Sequence, residues 1–297
     1  MSHDHSHARQ GRSLALSIAL NLGFAVAELV AGLFANSLVL VADALHDAGD
    51  AVALSLSWLG LRLSKRPPNT RRTFGYRKVR ILTAFLNALF LFAMTAFIVR
   101  AAILRIIAPE PVRSPVLIVM AVVGLAVNGA AVLLLRRDRH SLNIRAAMWH
   151  LLEDFFGWVA VLVGGIIIHF TGWYVLDPVL SLAVSAFVLW GAWSVFREAT
   201  SILIDSTPKD LRFDEVRRRI LEFDPAIAGV HDLHIWTLGE GERALMAHLV
   251  VPDRELSSFY PMLARLECEL GEWFQIDHVT LELECDRCKS GNNVCLE

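Results

Sequence analysis

Six apolar runs alternate with short polar stretches over the first two thirds of the chain. A helix of about 20 apolar residues crosses the ~30 Å hydrocarbon core of a bilayer. The runs cover residues 13–35, 38–63, 79–107, 115–135, 144–170 and 175–196. The pattern therefore predicts an α-helical membrane protein with six transmembrane helices, in a domain of residues 13–204.

The pattern changes after residue 205 to that of a small α+β domain. Amphipathic, helix-like segments alternate with strand-like ones in the order helix, strand, strand, helix, strand: 213–223, 230–238, 244–251, 259–274 and 278–284. This αββαβ order resembles ferredoxin-like domains. We therefore expect a cytoplasmic ferredoxin-like domain at residues 205–284, for metal sensing and dimerisation, and a Cys-containing tail at residues 285–297. A domain this small has a modest core, which pairing with a second copy would extend.

The loops predict the orientation in the membrane. Basic residues crowd the loop between the second and third runs, and no acidic residue occurs from 51 to 109. A shorter basic loop follows the fourth run at 136–145. Because Lys and Arg accumulate in cytoplasmic loops, both loops should be cytoplasmic. With six spans, both termini are then cytoplasmic, including a tail at residues 1–12 whose His residues either bind metal weakly or have no role. The short loops indicate a bacterial inner membrane.

Composition narrows the classes of function. Of the 297 residues, 55% are hydrophobic and only 20% are charged, which excludes an ordinary soluble domain. The net charge of -2 conceals an acidic end, since residues 205–297 hold 19 acidic and 10 basic side chains. Neither part has the basic, aromatic-rich pattern of nucleic-acid binding, and no Gly-rich loop implies ATP. All four Cys lie in the acidic end, where a cytosolic location favours thiols or metal ligands over disulfides.

Ionisable residues inside the apolar runs are the candidate functional residues. In the second run, Asp43, His46 and Asp50 follow one another at three and four residues and so share one helix face. The fifth run repeats the spacing with His150 and Asp154. Two helices that each offer an imidazole and a carboxylate could close a tetrahedral zinc site. The alternative is that these polar groups only pair with one another between helices.

These motifs resemble the cation diffusion facilitator family, and in particular its zinc-exporting branch. The resemblance covers nearly the whole chain and rests on these features: His46-x-x-x-Asp50, His150-x-x-x-Asp154, Phe74-Gly75-Tyr76-x-Lys78, six spans and a C-terminal α+β domain. It implies a homodimer in the lipid bilayer that exchanges cytosolic Zn²⁺ for outside protons. It also implies that the transport-site ligands are His46, Asp50, His150 and Asp154.

Further acids in the spans depart from the family pattern or remain ambiguous. Family members usually have an apolar or small residue at the position of Asp47, and often Gly at that of Glu153. Helical geometry puts both acids one position off the ligand face, so a supporting or proton-carrying role is expected. Asp43 could be a ligand, the wall of a water cavity or a supporting partner of His46, and the supporting role is favoured. Glu28 and Asp177 lie near span ends, where snorkelling or helix capping competes with a proton-relay role.

The C-terminal domain offers a second candidate metal site. His231 and His248 match positions that bind regulatory metal in family members, and Cys285-x-x-Cys288 resembles the terminal thiol pair of certain vesicular zinc transporters of the family. The resemblance implies a zinc site built from these residues: His231, His248, Glu282 and one or both of Cys285 and Cys288. Surface or interface His residues with free thiols are the alternative.

Two other functions stay open from the sequence. A membrane-embedded zinc-dependent hydrolase needs a general base and an open coordination position, commonly as His-Glu-x-x-His, a motif that the chain lacks. A membrane metal sensor would need the C-terminal site without a transport path, and the ligands inside the spans argue against it. A secondary active transporter, not an enzyme, is the prediction.

Overall fold

The computed structural model describes residues 22–64, 66–135, 142–239 and 241–285, and of residues 131, 134, 135 and 142–150 it describes the backbone alone. Contacts between Cα atoms group the chain into two compact units. The first unit draws on Met1–Leu56 and Leu86–Phe196, and the second on Ser57–Phe85 and Arg197–Glu297. Residues 57–64, 79–85 and 197–203, at the ends of three long helices, therefore belong with the C-terminal elements.

Six helices of the described residues follow the six apolar runs. They are α1 (Leu22–Ala35), α2 (Leu38–Ser64), α3 (Val79–Ile107), α4 (Ser114–Leu135), α5 (Leu142–Thr171) and α6 (Leu176–Leu203). Three described segments are long and apolar enough to cross a membrane: Val79–Ile107, Leu151–Thr171 and Leu176–Leu203. The carboxylates of α2 lower its hydropathy, and α1 and α4 contribute shorter apolar segments. Composition alone thus identifies three spans in the described chain.

The core of the first unit lies where α1, α2, α4 and α5 meet. Fully buried side chains there include Leu40 of α2, Leu117 of α4 and Ile168 of α5. Helix α4 packs along α5, and Gly124 makes this possible because a Cβ at that position would lie 2.3 Å from the ring of Trp158. The two helices therefore approach at a small residue, as is common between membrane helices.

The second unit contains the predicted order of helices and strands. Its elements are α7 (Phe213–Phe223), β1 (Gly229–Gly239), β2 (Glu242–Val251), α8 (Tyr260–Phe274) and β3 (His278–Cys285). They form a three-stranded sheet in the order β1-β2-β3. Strand β2 is antiparallel to β1 and parallel to β3. The sheet therefore brings the start of β2 next to the start of β3, and the end of β2 next to the end of β3.

The hydrophobic core of this sheet domain is built from regular spacings. Helix α8 buries Met262, Leu266 and Leu270 at intervals of four residues, and α7 buries Val216 and Ile220 at the same interval. These side chains join buried residues of the strands in one cluster. Burying a Leu or Ile side chain contributes roughly 1.5–3 kcal/mol. The apolar face of each helix thus explains why it packs on the sheet.

Candidate metal sites

Helix α2 presents its polar stretch on one side. Asp43, His46 and Asp50 share that face, and all three are half-buried. Gly49 lets α3 approach here, because a Cβ at this position would lie 2.5 Å from Cδ2 of Leu91. His46 also borders a space of about 10 Å³ between α2, α3 and α6, which is about the volume that one water needs. The face is therefore enclosed by neighbouring helices.

Helix α5 brings another carboxylate to this region. Asp154 is half-buried and lies close enough to Asp43 and Asp47 to interact with both electrostatically. His150 occupies the same helix one turn earlier, and its side chain lies outside the described part of the structure. Glu153 is exposed, in contrast to Asp154 beside it. Carboxylates of α2 and α5 thus lie close together, while ligation by the His and Asp pairs stays a prediction.

Glu28 of α1 joins the same group. Its side chain is completely buried, and it interacts electrostatically with Asp43, Asp47 and Asp154. Complete burial excludes snorkelling to the membrane surface, one of the interpretations that the sequence left open. We call Glu28, Asp43, Asp47 and Asp154 the acidic cluster. Carboxylates gathered inside an apolar helix bundle repel one another unless a bound cation or protons balance their charge.

Asp177 at the start of α6 caps the start of α2. Its buried carboxylate accepts hydrogen bonds from Ser37 Oγ at 2.5 Å, from the Leu38 backbone N at 2.7 Å and from the Val39 backbone N at 3.4 Å. The first N–H groups of a helix have no partner within the helix, so this carboxylate satisfies two of them. Helix capping, one of the three roles considered for Asp177, is therefore realised on a different helix, the one that carries His46.

Arg105 of α3 extends this network. Its guanidinium lies 3.7 Å from the Asp177 carboxylate and donates to the Asn36 carbonyl at 2.8 Å and to Asn36 Oδ1 at 2.7 Å. Asn36 adopts a left-handed conformation (φ 54°) and donates to Glu110 at 3.0 Å. The hydrogen bond from Asn36 and the charge of Arg105 lower the pKa of Glu110. One polar network thus joins the α1–α2 turn to α3 and α6.

A second group of potential ligands lies on the sheet of the second unit. His231 of β1 and His248 of β2 both contact Glu284 of β3. His231 Nε2 lies 3.0 Å from Glu284 Oε2, and His248 Nδ1 lies 2.8 Å from Glu284 Oε1. The donor atoms of tetrahedral zinc are roughly 3.3 Å apart, since Zn–N and Zn–O bonds are about 2.0 Å long. One nitrogen or oxygen from each residue fits within 4.8 Å of the others. We call these three residues the sheet cluster.

The sheet cluster differs in one residue from the set that the family resemblance implies. Glu284, and not Glu282, is the carboxylate that contacts both His side chains. Glu282 is on the same face of β3, two residues away, and its Oε2 lies 3.5 Å from His248 Nε2. Asp232 Oδ2 approaches the same nitrogen at 3.4 Å. Both acids are therefore available as further oxygen donors at the edge of the cluster.

The remaining predicted residues of this site are partly outside the described chain. Cys285 ends β3, is half-buried and pairs with Val251 of β2 in the sheet register. Cys288 lies outside the described residues. His234, three residues beyond His231, lies past an irregularity in the β1–β2 register, and its Nε2 lies 3.0 Å from Oδ1 of Asp232.

Arg77, in the loop before α3, contacts the first residues of two strands. It forms a salt bridge with Glu242 of β2, and its Nη1 lies 3.2 Å from His278 Nε2 of β3. Phe74 of the same loop packs edge-on against the His278 ring, with centroids 5.9 Å apart. Because β2 and β3 are parallel, both strands lead from Arg77 to the sheet cluster, which lies six residues along each. The loop and the cluster are thus joined through regular structure.

Gly239 is expected to be required for this contact. A Cβ at position 239 would lie 2.8 Å from Cβ of Arg77, closer than side chains pack. We expect Gly239→Ala to lower the stability of the protein by about 1–3 kcal/mol through overpacking, measured as a lower Tm in detergent. Gly191→Ala adds the same methyl group where no atom lies within 4 Å, and should not lower the Tm. Equal Tm values for wild type and Gly239→Ala would contradict the close approach of Arg77.

Comparison with protein families gives two matches that together cover most of the chain. Residues 14–204 match the cation efflux transmembrane domain, and residues 208–285 match the cation efflux protein, cytoplasmic domain. The boundary between the two matches falls after α6 and before α7.

Individual proteins are similar over nearly the full length. The zinc transporter ZitB of Pectobacterium atrosepticum is 37% identical over 292 residues, which cover 97% of this chain and 90% of that protein. The cadmium, cobalt and zinc/H(+)-K(+) antiporter of Bacillus subtilis is 32% identical over 298 residues, which cover 99% and 95%. A solved structure, the metal-bound C-terminal domain of the CzcD transporter from Cupriavidus metallidurans, is 34% identical, with a TM-score of 0.23, and covers 25% of this chain and 99% of that one.

Proposed function

Because this chain belongs to the cation efflux family, we propose that it is a Zn²⁺/H⁺ antiporter that exports zinc from the cytosol. The observation that carries this function is the meeting of carboxylates from α1, α2 and α5 inside apolar helices, beside the His46 imidazole. Such groups are costly in a membrane unless they serve a transported ion. The chain is thus a secondary active transporter, and the hydrolase that the sequence left open is set aside.

The arrangement in the membrane is part of the proposal. We place six spans between residues 13 and 204, with both termini and the C-terminal domain on the cytoplasmic side of a bacterial inner membrane. The basic loop between α2 and α3 supports this orientation. The helix–strand order of the C-terminal domain supports a ferredoxin-like assignment. Its family match, a cytoplasmic domain, supports that location and a homodimer.

The proposed transport site has four zinc ligands: His46, Asp50, His150 and Asp154. One imidazole and one carboxylate from each of α2 and α5 give the N₂O₂ set that suits tetrahedral zinc. The proximity of Asp154 to the acids of α2 supports this pairing of helices. Asp43 and Asp47 are assigned a supporting or proton-carrying role, as Glu153 is. The exposure of Glu153 makes it the weakest member of this group.

The exchange follows from the chemistry of the ligands. Zinc binds neutral imidazole and ionised carboxylate, so metal binding releases protons and protonation releases metal. If the site opens alternately to the two sides, zinc loads from the cytosol and protons from the more acidic outside displace it. The proton gradient then drives export, and a change of state requires that each ligand bind the two states differently.

Metal uptake into proteoliposomes tests the function. With the C-terminal domain outside and the lumen acidic, zinc should accumulate in proportion to the pH gradient, and each zinc taken up should be accompanied by proton loss from the lumen. Collapsing the gradient with a protonophore should stop accumulation. Zinc uptake that is equal with and without a gradient would contradict antiport. The extent to which added cadmium or cobalt inhibits zinc uptake would show the order in which the transporter prefers these metals.

The sheet cluster is proposed as a regulatory zinc site at the cytoplasmic face. His231, His248 and Glu284 supply three donors with the spacing that zinc requires. The fourth donor comes from Glu282 or Asp232, which lie beside His248, or from Cys285 or Cys288, as the family resemblance implies. Zinc bound here would favour a transport state only if the affinity of the cluster differs between states.

We expect His248→Ala to remove one of two bound zinc ions per chain. The measurement is the zinc content of the full-length protein after equilibrium dialysis at low free zinc. Glu284→Gln should weaken the same site by about 10–100-fold, because a carboxylate that touches both imidazoles is lost. His278→Ala is the matched control, since His278 lies at the other end of β3, where its Nε2 contacts Arg77. Unchanged zinc content in both His248→Ala and Glu284→Gln would contradict the regulatory site and leave the transport site untouched.

A further inference from the structure

Strand β1 contains one extra residue beside the sheet cluster. His231 pairs with His248 of β2 and His234 pairs with Met246, so three steps along β1 match two steps along β2. Asp232 lies inside this bulge and has a left-handed backbone conformation, with φ 49°. Apart from Gly, Asp and Asn are the residues that adopt this conformation most readily. Since bulges beside functional sites often redirect a side chain, the extra residue determines where the Asp232 carboxylate points.

The Asp232 carboxylate lies between two imidazoles. Its Oδ1 lies 3.0 Å from His234 Nε2, and its Oδ2 lies 3.4 Å from His248 Nε2. His234 thus holds one oxygen, and the other oxygen faces a ring of the sheet cluster. The facing side chains of Asp232 and His248 are both half-buried, so their contact is partly shielded from water.

His248 presents its two nitrogens to different partners. Nδ1 lies 2.8 Å from Glu284, which in turn contacts His231, while Nε2 faces Asp232. A neutral imidazole carries its hydrogen on one nitrogen and binds metal through the other. The group that accepts the N–H hydrogen bond therefore decides which nitrogen is left for zinc.

A second acid competes for the same nitrogen of His248. Glu282 Oε2 lies 3.5 Å from Nε2, about as near as Asp232. The Glu282 side chain is 67% exposed, whereas that of Asp232 is 31% exposed. Holding a long, exposed side chain costs more conformational entropy, and water screens its charge. Because His234 already fixes the Asp232 carboxylate, Asp232 is the stronger acceptor.

We propose that Asp232 is a positioning residue of the sheet cluster, an inference that rests on the regulatory zinc site proposed above. Its carboxylate accepts a hydrogen bond from Nε2–H of His248 and so directs Nδ1 to zinc, together with His231 and Glu284. A carboxylate behind a zinc-binding imidazole fixes the ring and raises its basicity. Because the two ring nitrogens point in different directions, Asp232 does not reach the same zinc. The fourth donor is then one of the other candidate residues.

Zinc binding to the full-length protein in detergent tests this role. Binding curves are measured by equilibrium dialysis, and the difference from His248→Ala reports the sheet cluster. Asp232→Gly suits the left-handed backbone and removes the carboxylate, so we expect the zinc affinity of the cluster to fall by about 10–100-fold. Asp232→Asn keeps an oxygen that can accept from Nε2–H, and should weaken binding by only about threefold.

A matched control separates the carboxylate from the shape of the backbone. Asp205→Gly removes the same charge from a residue with the same backbone conformation (φ 56°), whose carboxylate contacts Lys78, and should leave the affinity of the cluster unchanged. If Asp232 only shapes the bulge, Asp232→Gly will keep full affinity, and the proposal is overturned. A loss in Asp232→Asn as large as in Asp232→Gly would make Asp232 a zinc ligand, which also overturns it.

The hydrogen on the His248 ring gives an independent readout. NMR of zinc-bound protein with isotopically labelled histidine should show Nε2 protonated and Nδ1 bound to zinc, in signals that His248→Ala lacks. Zinc on Nε2 would contradict the proposal. Failure of the regulatory site itself is recognised separately, because wild type and His248→Ala would then bind equal amounts of zinc, and the role of Asp232 would fall with that site.

Discussion

Replacing Asp50 by alanine is expected to reduce gradient-driven zinc uptake to the level of protein-free liposomes. Asp50 lies on the face of α2 that carries His46, and no other carboxylate of α2 shares the same four-residue spacing from that imidazole. Without it, the proposed site keeps three donors and loses negative charge that must balance Zn²⁺ in a medium of low dielectric constant. Uptake is measured as luminal zinc with a fluorescent indicator under an imposed pH gradient. His150→Ala should give the same result, because it removes the corresponding imidazole on α5.

Asp47→Asn is the matched control for Asp50→Ala. It removes an acid from the same helix, one position off the ligand face, and should lower apparent zinc affinity by about 10-fold without abolishing uptake. Glu28→Gln tests the buried acid of α1 in the same way. Full activity of Asp50→Ala in protein that is correctly oriented and binds zinc would remove Asp50 from the transport site. Loss of uptake in Asp47→Asn as complete as in Asp50→Ala would show that the extra acid is a ligand.

The elements of the C-terminal domain could be predicted from the sequence because their signals are local. Helix α7 is found at Phe213–Phe223, where an amphipathic, charged segment predicts it. The strands β1, β2 and β3 begin and end within two residues of the expected bounds. An apolar periodicity of 3.6 or 2 residues depends only on residues close together in the sequence. It therefore predicts a helix or a strand without knowledge of the tertiary structure. In the first unit, each apolar run likewise corresponds to a helix of the described residues.

The sequence could predict the candidate sites only for residues that lie in the same helix or strand, where spacing determines which side chains share a face. Residues on one helix face, such as His46 and Asp50, follow from geometry within one element. Glu28 does not, because its complete burial depends on how α1 packs against α2 and α5. Glu284 lies on the same strand face as Glu282, and only the position of β1 relative to β3 decides which of them meets His231. Contacts between elements distant in sequence therefore set the limit of the prediction.

The hydrogen bonds of Asp177 mark that limit most clearly, because its partners lie 138 to 140 residues earlier in the chain. A lone Asp before Pro178 at the start of a span is compatible with capping its own helix, with snorkelling or with proton relay. The structure uses it to cap α2 instead. His46 lies eight residues after Leu38 on α2. By holding the start of α2, Asp177 therefore fixes where the proposed transport ligands lie along the axis of α6. Helix α3 is held to the same point through Arg105.

We therefore expect Asp177→Ala to be the most destabilising single substitution among the acids of the spans. It removes the acceptor of a buried hydroxyl and of two helix N–H groups, and it leaves the Arg105 guanidinium, whose side chain is 14% exposed, without that carboxylate. Breaking one side of a buried charged network costs about 3–5 kcal/mol. The measurement is the Tm of the full-length protein in detergent, together with its zinc content and zinc uptake. Zinc binding should survive in the fraction that folds, while uptake falls, because the ligands are intact but the position of α2 is no longer fixed.

Two further variants separate capping from a general need for charge at this end of the bundle. Glu110→Gln removes the other acid that contacts Arg105, but Glu110 is exposed and touches no backbone N–H of α2, so the Tm should change little. Asp177→Asn keeps a carbonyl oxygen that can accept from Leu38, and should fall between the wild type and Asp177→Ala in both Tm and uptake. A Tm for Asp177→Ala equal to that of the wild type would contradict the capping role. A normal Tm with lost uptake in Asp177→Asn would instead assign Asp177 to the proton path, since the amide preserves the hydrogen bond but cannot carry a proton.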